Sequence, residues 1–305
     1  MTTTADDGLS LAGTLTLPDG PGPHPAVLLL HGSGPLDRDA NTRRVHMELG
    51  APLAAALAEK GIASLRYDRR GVGATPGNWR ATGFTDNRQD AVAALRALSN
   101  HSDIRADAIG VVGHSEGAVH AMSLGTHPQV RAVVVLAGFA RLGEDALRWQ
   151  AGMIARDLPK VVLPALRALA TRQLTRIKKT NKDVARVAGV PVNARWTREM
   201  LIHDPRPDLT NIKAPVLAIT GDKDVQVDPA DLEVIRQLVP GEVEVHRPAD
   251  LTHVLRRDPG KPSMRSYRQL LRQPVDVALL AHVTGWLAHR LPGVPHDTTL
   301  RREMT

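Results

Sequence analysis

One stretch of this sequence constrains the fold more than any other: residues 113–117, which read Gly-His-Ser-Glu-Gly. The apolar run before it, residues 108–112, predicts a buried strand, and the small-residue run after it, residues 118–124, predicts a helix. A serine on such a strand-to-helix turn forms a nucleophile elbow, in which the serine oxygen projects from the sheet. The turn is so tight that a side chain at Gly113 or Gly117 is expected to clash.

Apolar runs alternate with helical spacings along most of the chain. Strands are predicted at residues 9–17 (a strand or a hairpin), 26–30, 62–67, 108–112, 130–137, 216–220 and 243–246. Helices are predicted at residues 45–60, 86–98, 118–124, 229–239 and 275–291. Strand alternating with helix indicates right-handed βαβ units and a mostly parallel sheet, which is an α/β fold.

One segment interrupts this alternation. Residues 141–210 have a helical apolar spacing followed by a polar and basic stretch, and the strands resume after them. We therefore predict a helical cap at residues 141–210, inserted after the sixth strand of a core formed by residues 1–140 and 211–291. The tail at residues 292–305 lacks periodicity, and we expect it to be disordered.

Composition excludes several classes of protein. The chain has no cysteine, which rules out disulfides, thiolate catalysis and cysteine-zinc sites. No H-E-x-x-H motif and no histidine pair at i, i+4 indicates a metal. The N-terminus shows no signal peptide, and no apolar window reaches the roughly 18 residues of a membrane span, so a cytoplasmic location is expected.

The net charge of +7 is concentrated in the predicted cap. Residues 141–200 hold 13 Lys and Arg against 5 Asp and Glu. Such a charge is expected of helix faces that are simply exposed to solvent. The alternative is a functional surface that attracts anionic substrates or acidic lipids. No interleaved aromatic residues or groove-reading motif indicates nucleic-acid binding. The expected partner is a small molecule, and the oligomeric state is left open.

A serine hydroxyl needs a base to take its proton, and the base needs an acid to hold its tautomer. In a fold with this elbow the chain order is serine, acid, histidine. Ser115 is then the nucleophile, and the acid should follow the strand at residues 216–220, where Asp222, Asp224 and Asp228 are candidates. Of 13 histidines, His253 alone lies between the last strand and the last helix, which makes it the predicted base.

Position within the loop favours Asp224 as the acid. Asp222 directly follows the strand, where a short side chain is expected to bond to its own turn. Asp228 precedes Pro229 and has the pattern of an N-cap for the next helix. Asp224 lies at the middle of the loop, from which it can reach across to His253.

The oxyanion of an acyl-transfer reaction needs two backbone N–H donors, each worth roughly 3–4 kcal/mol of transition-state stabilisation. The first predicted donor is the N–H of Glu116, at the positive end of the helix after the serine. The second should come from the glycine-containing loop after the strand at residues 26–30. We expect the Ser33 N–H to serve there, with Gly34 as the alternative.

Three motifs together resemble the α/β-hydrolase superfamily: His-Gly-Ser-Gly-Pro at residues 31–35, Tyr-Asp-Arg-Arg-Gly-Val-Gly at 67–73 and the elbow at 113–117. Within it the chain is similar to bacterial esterases and acyl hydrolases of the dienelactone-hydrolase-like and serine-aminopeptidase-like groups. The resemblance covers about residues 9–291. It implies an eight-stranded, mostly parallel sheet, ester or thioester hydrolysis, no cofactor, and a structural role for Asp68 and Arg70. The cysteine nucleophile of true dienelactone hydrolases is absent.

The leading hypothesis is a serine hydrolase that cleaves carboxylic esters through an acyl-enzyme. A thioesterase or an aminopeptidase would use the same triad, as would a cofactor-free haloperoxidase or a lyase. A catalytically silent binding protein on this fold is the alternative from another class, since a fold does not fix a function. An intact triad discriminates against the silent protein.

Overall fold

A computed structural model describes residues 1–293, and the predicted disordered tail therefore lies almost wholly outside the described residues. The main sheet has eight strands: β1 (Thr2–Thr4), β2 (Ser10–Thr16), β3 (His24–Leu30), β4 (Ala63–Tyr67), β5 (Ile104–His114), β6 (Val130–Leu136), β9 (Val216–Ile219) and β10 (Val243–His246). Their order in the sheet is β1-β2-β4-β3-β5-β6-β9-β10. The pairs β1–β2 and β2–β4 are antiparallel, and the remaining neighbours are parallel.

Helices cover both faces of this sheet, as expected of a parallel sheet whose crossovers are helical. They are α1 (Gly50–Ala58), α2 (Phe84–Ser99), α3 (Glu116–Leu124), α8 (Asp231–Leu238) and α10 (Val277–Arg290), with a short α9 (Tyr267–Leu270). The sheet separates two buried clusters: α2, α3 and α8 contribute to one, and α1 and α10 to the other. Successive side chains of β5 point to opposite faces of the sheet, so Val111 packs in the first cluster and Val112 packs in the second. This is the α/β-hydrolase architecture that the sequence predicts.

The segment predicted as a helical cap, residues 141–210, follows β6, the sixth strand, and is not wholly helical; we keep the name cap for these residues. It contains α4 (Gly143–Ala155), α5 (Leu163–Lys179), α6 (Ala194–Ile202) and α7 (Arg206–Leu209). Between α5 and α6, an antiparallel hairpin of β7 (Val184–Val187) and β8 (Val190–Asn193) adds a second sheet that helical periodicity did not indicate. The division of the chain into core and cap domains stays a prediction.

Helix α6 is one of the parts of the cap that bond to the core. Asn193 caps the helix by accepting a hydrogen bond from Trp196 N at 2.8 Å, and its amide donates to Trp79 O and Thr82 O. Glu199 accepts from Thr85 N at 2.8 Å, at the start of α2. Asn193 therefore both caps α6 and joins it to the segment before α2, and Glu199 adds a second contact at the start of α2.

Some predicted boundaries are wrong at their ends. The helix predicted at residues 45–60 begins only at Gly50, because Leu49 N bonds to Asp39 O and holds the preceding segment as a loop. The short strand β1 was not predicted, since three threonines show no periodicity. Helix α8 begins at Asp231, two residues after the predicted start.

Candidate active site

The turn that carries Ser115 is strained in the way the motif requires. Ser115 has φ 57° and ψ −120°, between the end of β5 and the start of α3. A Cβ on Gly113 would lie 2.0 Å from Gly117 O, and a Cβ on Gly117 would lie 2.3 Å from Leu30 O. Close approach therefore requires both glycines: Gly113 lies against Gly117, and Gly117 lies against the end of β3.

Three predicted side chains meet at this turn. The Ser115 hydroxyl lies 3.2 Å from His253 Nε2, within reach for donation to that nitrogen, and His253 Nδ1 donates to Asp224 Oδ2 at 2.8 Å. His253 and Asp224 are 5% and 2% exposed. Serine, imidazole and carboxylate thus form one hydrogen-bonded chain shielded from water.

The other Asp224 oxygen is also held, because Oδ1 accepts from Gln226 N at 2.7 Å and Val227 N at 2.8 Å. The sequence predicted that Asp222 bonds to its own turn, and this prediction is wrong: Asp222 Oδ1 accepts a hydrogen bond from Asp250 N at 2.7 Å. Both loops at the site are therefore fixed by carboxylate-to-backbone bonds.

The N-cap assignment of Asp228 is wrong. Helix α8 starts at Asp231 with Ala230 as N-cap residue. Asp228 instead accepts from Ala230 N at 3.1 Å and pairs with Arg141 at 2.9 Å, which also pairs with Asp231. The cause is an extra turn between Pro229 and the helix, which a Pro-at-first-position pattern does not reveal.

A second histidine supports the first from behind. His114 Nε2 donates to the carbonyl oxygen of His253 at 2.9 Å, and the two rings are 4.9 Å apart. Burial lowers the pKa of His114 well below its usual range, so that its ring stays neutral. His114 thus holds the backbone of His253 and is not itself a member of the hydrogen-bonded chain of Ser115, His253 and Asp224.

The predicted oxyanion donors lie around the serine. The loop after β3 passes beside it, since a Cβ on Gly32 would lie 3.3 Å from Ser115 Cβ. Ser33 and Glu116 line the same cavity as Ser115, whereas Gly34, with φ 101°, lines a neighbouring pocket. Glu116 opens α3, and the first amides of a helix have no intrahelical partner.

The side chain of Glu116 was not predicted to have a role. Its Oε1 accepts from Arg69 at 3.1 Å, Asn87 at 2.9 Å and His120 at 3.1 Å, and its Oε2 accepts from Trp196 Nε1 at 3.0 Å. Burial alone would raise the pKa of Glu116, but the Arg69 charge and the His120 hydrogen bond outweigh it and lower the pKa to about 2. An acid beside the nucleophile, in an otherwise apolar and small-residue helix, was the available signal.

Trp196 stands between two spaces. A cavity of about 50 Å³ contains Ser115 and is lined also by Ser33, Leu147 and Trp196. A pocket of about 300 Å³ lies on the other side and shares Ser33 and Trp196 with it. The indole hydrogen bond to Glu116 fixes this partition, so the cap residue Trp196 limits the space at the serine.

The predicted bracing side chains are found in loops around the site. Asp68 accepts from Arg38 N at 2.8 Å and pairs with its guanidinium at 2.6 Å, while Arg70 pairs with Asp90 and Asp7. Neither Asp68 nor Arg70 forms a hydrogen bond or an ion pair with Ser115 in the described structure. These residues fix the loops that follow β3 and β4.

A possible metal-ligand set lies elsewhere, at β10 and α10. Ligand atoms of Glu244, His246 and His282 lie within 4.8 Å of one another. Arg290 Nη2 donates to Glu244 Oε1 at 2.6 Å, so a cation already occupies that carboxylate. Over residues 1–293 no other cluster of this kind is found, and we assign no metal to the site.

Comparison with known proteins places the chain among hydrolases of this fold. The family model described as serine aminopeptidase, S33, matches residues 23–260. The chain belongs to this family. As an S33 member it is 27% identical over 283 residues to the esterase EstD of Thermotoga maritima, covering 91% of this chain and 65% of that protein. It thus spans less than two thirds of this curated relative.

A shorter match is 31% identical over 137 residues to 2,6-dihydropseudooxynicotine hydrolase of Paenarthrobacter nicotinovorans, covering 45% of this chain and 34% of the relative. Among solved structures, the ferulic acid complex of Est1E from Butyrivibrio proteoclasticus has a TM-score of 0.67 at 16% identity, covering 95% and 98% of the two chains. At such identity the likeness shows the α/β-hydrolase fold. None of the helices in residues 1–293 is long and apolar enough to cross a membrane.

Proposed function

We propose that this S33-family chain is a serine esterase that hydrolyses carboxylic esters through an acyl-enzyme on Ser115. The observation that carries the proposal is the chain of hydrogen bonds from Ser115 Oγ to His253 at 3.2 Å and from His253 to Asp224 at 2.8 Å. Similarity to the esterase EstD supports an ester as the substrate.

In the proposed mechanism His253 Nε2 takes the Ser115 proton as Oγ attacks the ester carbonyl. Asp224, accepting from Nδ1–H, holds the tautomer that leaves Nε2 free and stabilises the imidazolium that forms. The oxyanion would receive hydrogen bonds from the N–H groups of Glu116 and Ser33. His253 then protonates the departing alcohol, and a water molecule, activated by the same base, releases the acid.

The charges around Ser115 favour an ester over the N-terminal amine of a peptide. Glu116 carries the only carboxylate among the described residues that line the serine cavity, and four donors already occupy its oxygens. The neighbouring pocket is lined by Arg69 and Arg70 and by no described carboxylate. A substrate ammonium would therefore meet no free anion at either place, which argues against an aminopeptidase.

The test begins with labelling by a fluorophosphonate probe. We expect wild type to be labelled and Ser115→Ala not to be, while the matched control Ser123→Ala on α3 labels normally. Ser115→Ala should lower kcat on nitrophenyl esters by roughly 10⁴-fold or more with the fold retained. Persistent labelling of the Ser115→Ala protein would contradict the assignment of the nucleophile.

The acid is tested by a matched pair of amide variants. Asp224→Asn should lower kcat by roughly 10⁴-fold, because the asparagine favours the wrong imidazole tautomer. Asp222→Asn should change it little, since that side chain holds only the Asp250 backbone. A large loss of kcat in Asp222→Asn but not in Asp224→Asn would refute the assignment of Asp224 as the acid. Hydrolysis of amino-acid nitroanilides faster than of nitrophenyl esters would refute the ester preference.

A further inference from the structure

The outermost cap helix, α5, has little of the protein against it. Ile177 is its one buried residue in the described structure. Five large apolar side chains on or just before it are exposed, by 40% at Leu158, 85% at Val161, 39% at Val162, 43% at Leu166 and 48% at Leu169. Single exposed apolar residues are ordinary, but a contiguous row of them marks an interaction surface.

Helical geometry places this row on one side. Val162, Leu166 and Leu169 follow each other at i, i+4 and i+7, the spacing of neighbours on one helix face. Arg172 and Arg176 continue the same side over the next two turns. We call residues 158–169 on this side, with their exposed Leu and Val side chains, the apolar strip; it ends in basic residues.

The charge around the apolar strip has one sign only. Residues 158–182 contain seven basic residues and no acidic one. Lys178 pairs with Glu144 at 2.7 Å. In the described structure none of the other six has an ion-pair partner, and all six are exposed, namely Lys160, Arg167, Arg172, Arg176, Lys179 and Lys182.

We propose that the apolar strip and its basic residues dock the cap onto an anionic lipid surface. The apolar strip and the basic residues that follow it share one exposed side of α5. One surface therefore offers both of the contributions that hold a helix at a membrane interface, buried apolar area and attraction to anionic lipid. Each basic residue near an anionic leaflet adds about 1 kcal/mol, a fivefold gain in partitioning. A second copy of the chain would bring like charge against like charge, and residues 158–182 hold no aromatic side chain on which nucleic-acid bases could stack.

A groove connects this surface to the candidate site. About 510 Å³ of space lies between α4 and α5, lined mainly by apolar atoms, and Leu147 belongs both to this groove and to the cavity of Ser115. Docking would place the groove beside the lipid, which gives an apolar ester a short path to the serine. This consequence rests on the proposed function; the docking itself does not.

The test measures binding of the full chain to vesicles by sedimentation, with no substrate present. We expect binding to vesicles of phosphatidylcholine mixed with phosphatidylglycerol, weakening with salt, and far weaker binding to phosphatidylcholine alone. The triple variant Arg172→Gln, Arg176→Gln and Lys179→Gln should lose roughly 100-fold in partitioning. The pair Leu166→Ser and Leu169→Ser should also weaken binding, since it removes buried apolar area with no change in charge.

A matched control makes the same charge change elsewhere. Lys60, Lys213 and Lys261 are exposed and lie outside the cap, and their triple replacement by glutamine should leave most of the binding. Equal losses in both triple variants would overturn the proposal in favour of a general charge effect. So would an absence of binding to the anionic vesicles, dimerisation that Leu166→Ser abolishes, or tighter binding to duplex DNA. Circular dichroism of each variant establishes that it is folded, and esterase activity in solution separates failure of docking from failure of the proposed function.

Discussion

Replacing Glu116 by glutamine keeps the shape of the side chain and removes its charge. Glu116 is 3% exposed. Three of the four donors to its carboxylate lie in the core and the fourth, Trp196, lies in the cap. The variant leaves the Arg69 guanidinium, whose side chain is 12% exposed, without its anion. Its amide nitrogen also turns at least one hydrogen-bond acceptor into a donor.

The size of the effect follows from the lowered pKa. Arg69 and His120 together outweigh burial and take the pKa of Glu116 from 4.5 to about 2. At 1.36 kcal/mol per unit of pKa, this difference is worth about 3 kcal/mol of folding free energy. Loss of one partner from a buried ion pair costs about 3–5 kcal/mol in other proteins, which agrees with it.

The sign of the pH dependence is fixed by the same pKa. Because the pKa is lower in the folded state, the stabilisation is fully present above the unfolded value of 4.5 and is lost as the pH falls through 4.5 towards 2. Wild type should therefore lose about 2 kcal/mol from this one group between pH 7 and pH 3. Glu116→Gln should lose correspondingly less over that interval.

Urea unfolding at pH 7 and at several lower pH values measures both quantities. We expect Glu116→Gln to lower the free energy of unfolding by about 3 kcal/mol at pH 7 and to flatten its acid dependence. The control Glu233→Gln removes the exposed ion pair with Arg236 on α8 and should change little. A Glu116→Gln protein as stable as wild type, with the same acid dependence, would refute the reasoning.

Three further predictions concern space, backbone and a surface pair. Trp196→Ala should join the cavities of about 50 and about 300 Å³ and shift kcat/KM towards longer acyl chains in a nitrophenyl ester series; an unchanged ranking would count against the partition. Gly285→Ala, in α10 with nothing within 4 Å of the new Cβ, should add about 0.5–1 kcal/mol in thermal unfolding, whereas Gly113→Ala should abolish soluble folded protein. Asp228→Ala should cost less than about 1 kcal/mol and spare activity, because Arg141 keeps Asp231; a large kcat loss would reopen the choice of acid.

Much of the fold is local information and could be predicted from the sequence. The apolar run at residues 26–30 predicts a strand covered on both faces, and every one of these residues in β3 is buried. The elbow is similarly local, since strand, turn and helix are adjacent in the chain, although the close approach that requires Gly117 is to Leu30 in β3. Asp224 and His253 followed from the order of loops after successive strands.

What the sequence could not provide depends on residues far apart in it. The contacts of Glu116 with Arg69 and Trp196 join positions 47 and 80 residues apart, and no period or motif relates them. The hairpin β7–β8 is short and partly exposed, so its residues show neither a buried run nor a clear alternation. The N-cap prediction for Asp228 failed because the sequence shows neither the extra turn after Pro229 nor the ion pair with Arg141, which is distant in the chain.

Glu116 joins two requirements of the proposed chemistry in one residue. Oxyanion donors stabilise a transition state only if they are already in place, because reorganisation would consume the gain. The Glu116 amide belongs to a strained turn, and its carboxylate ties that turn to Arg69 on the core and Trp196 on the cap. A neutral side chain of the same length could not hold both donors and balance the buried guanidinium. The residue after the nucleophile therefore supplies the proposed oxyanion amide from its backbone, and its side chain holds Trp196 in the lining of the serine cavity.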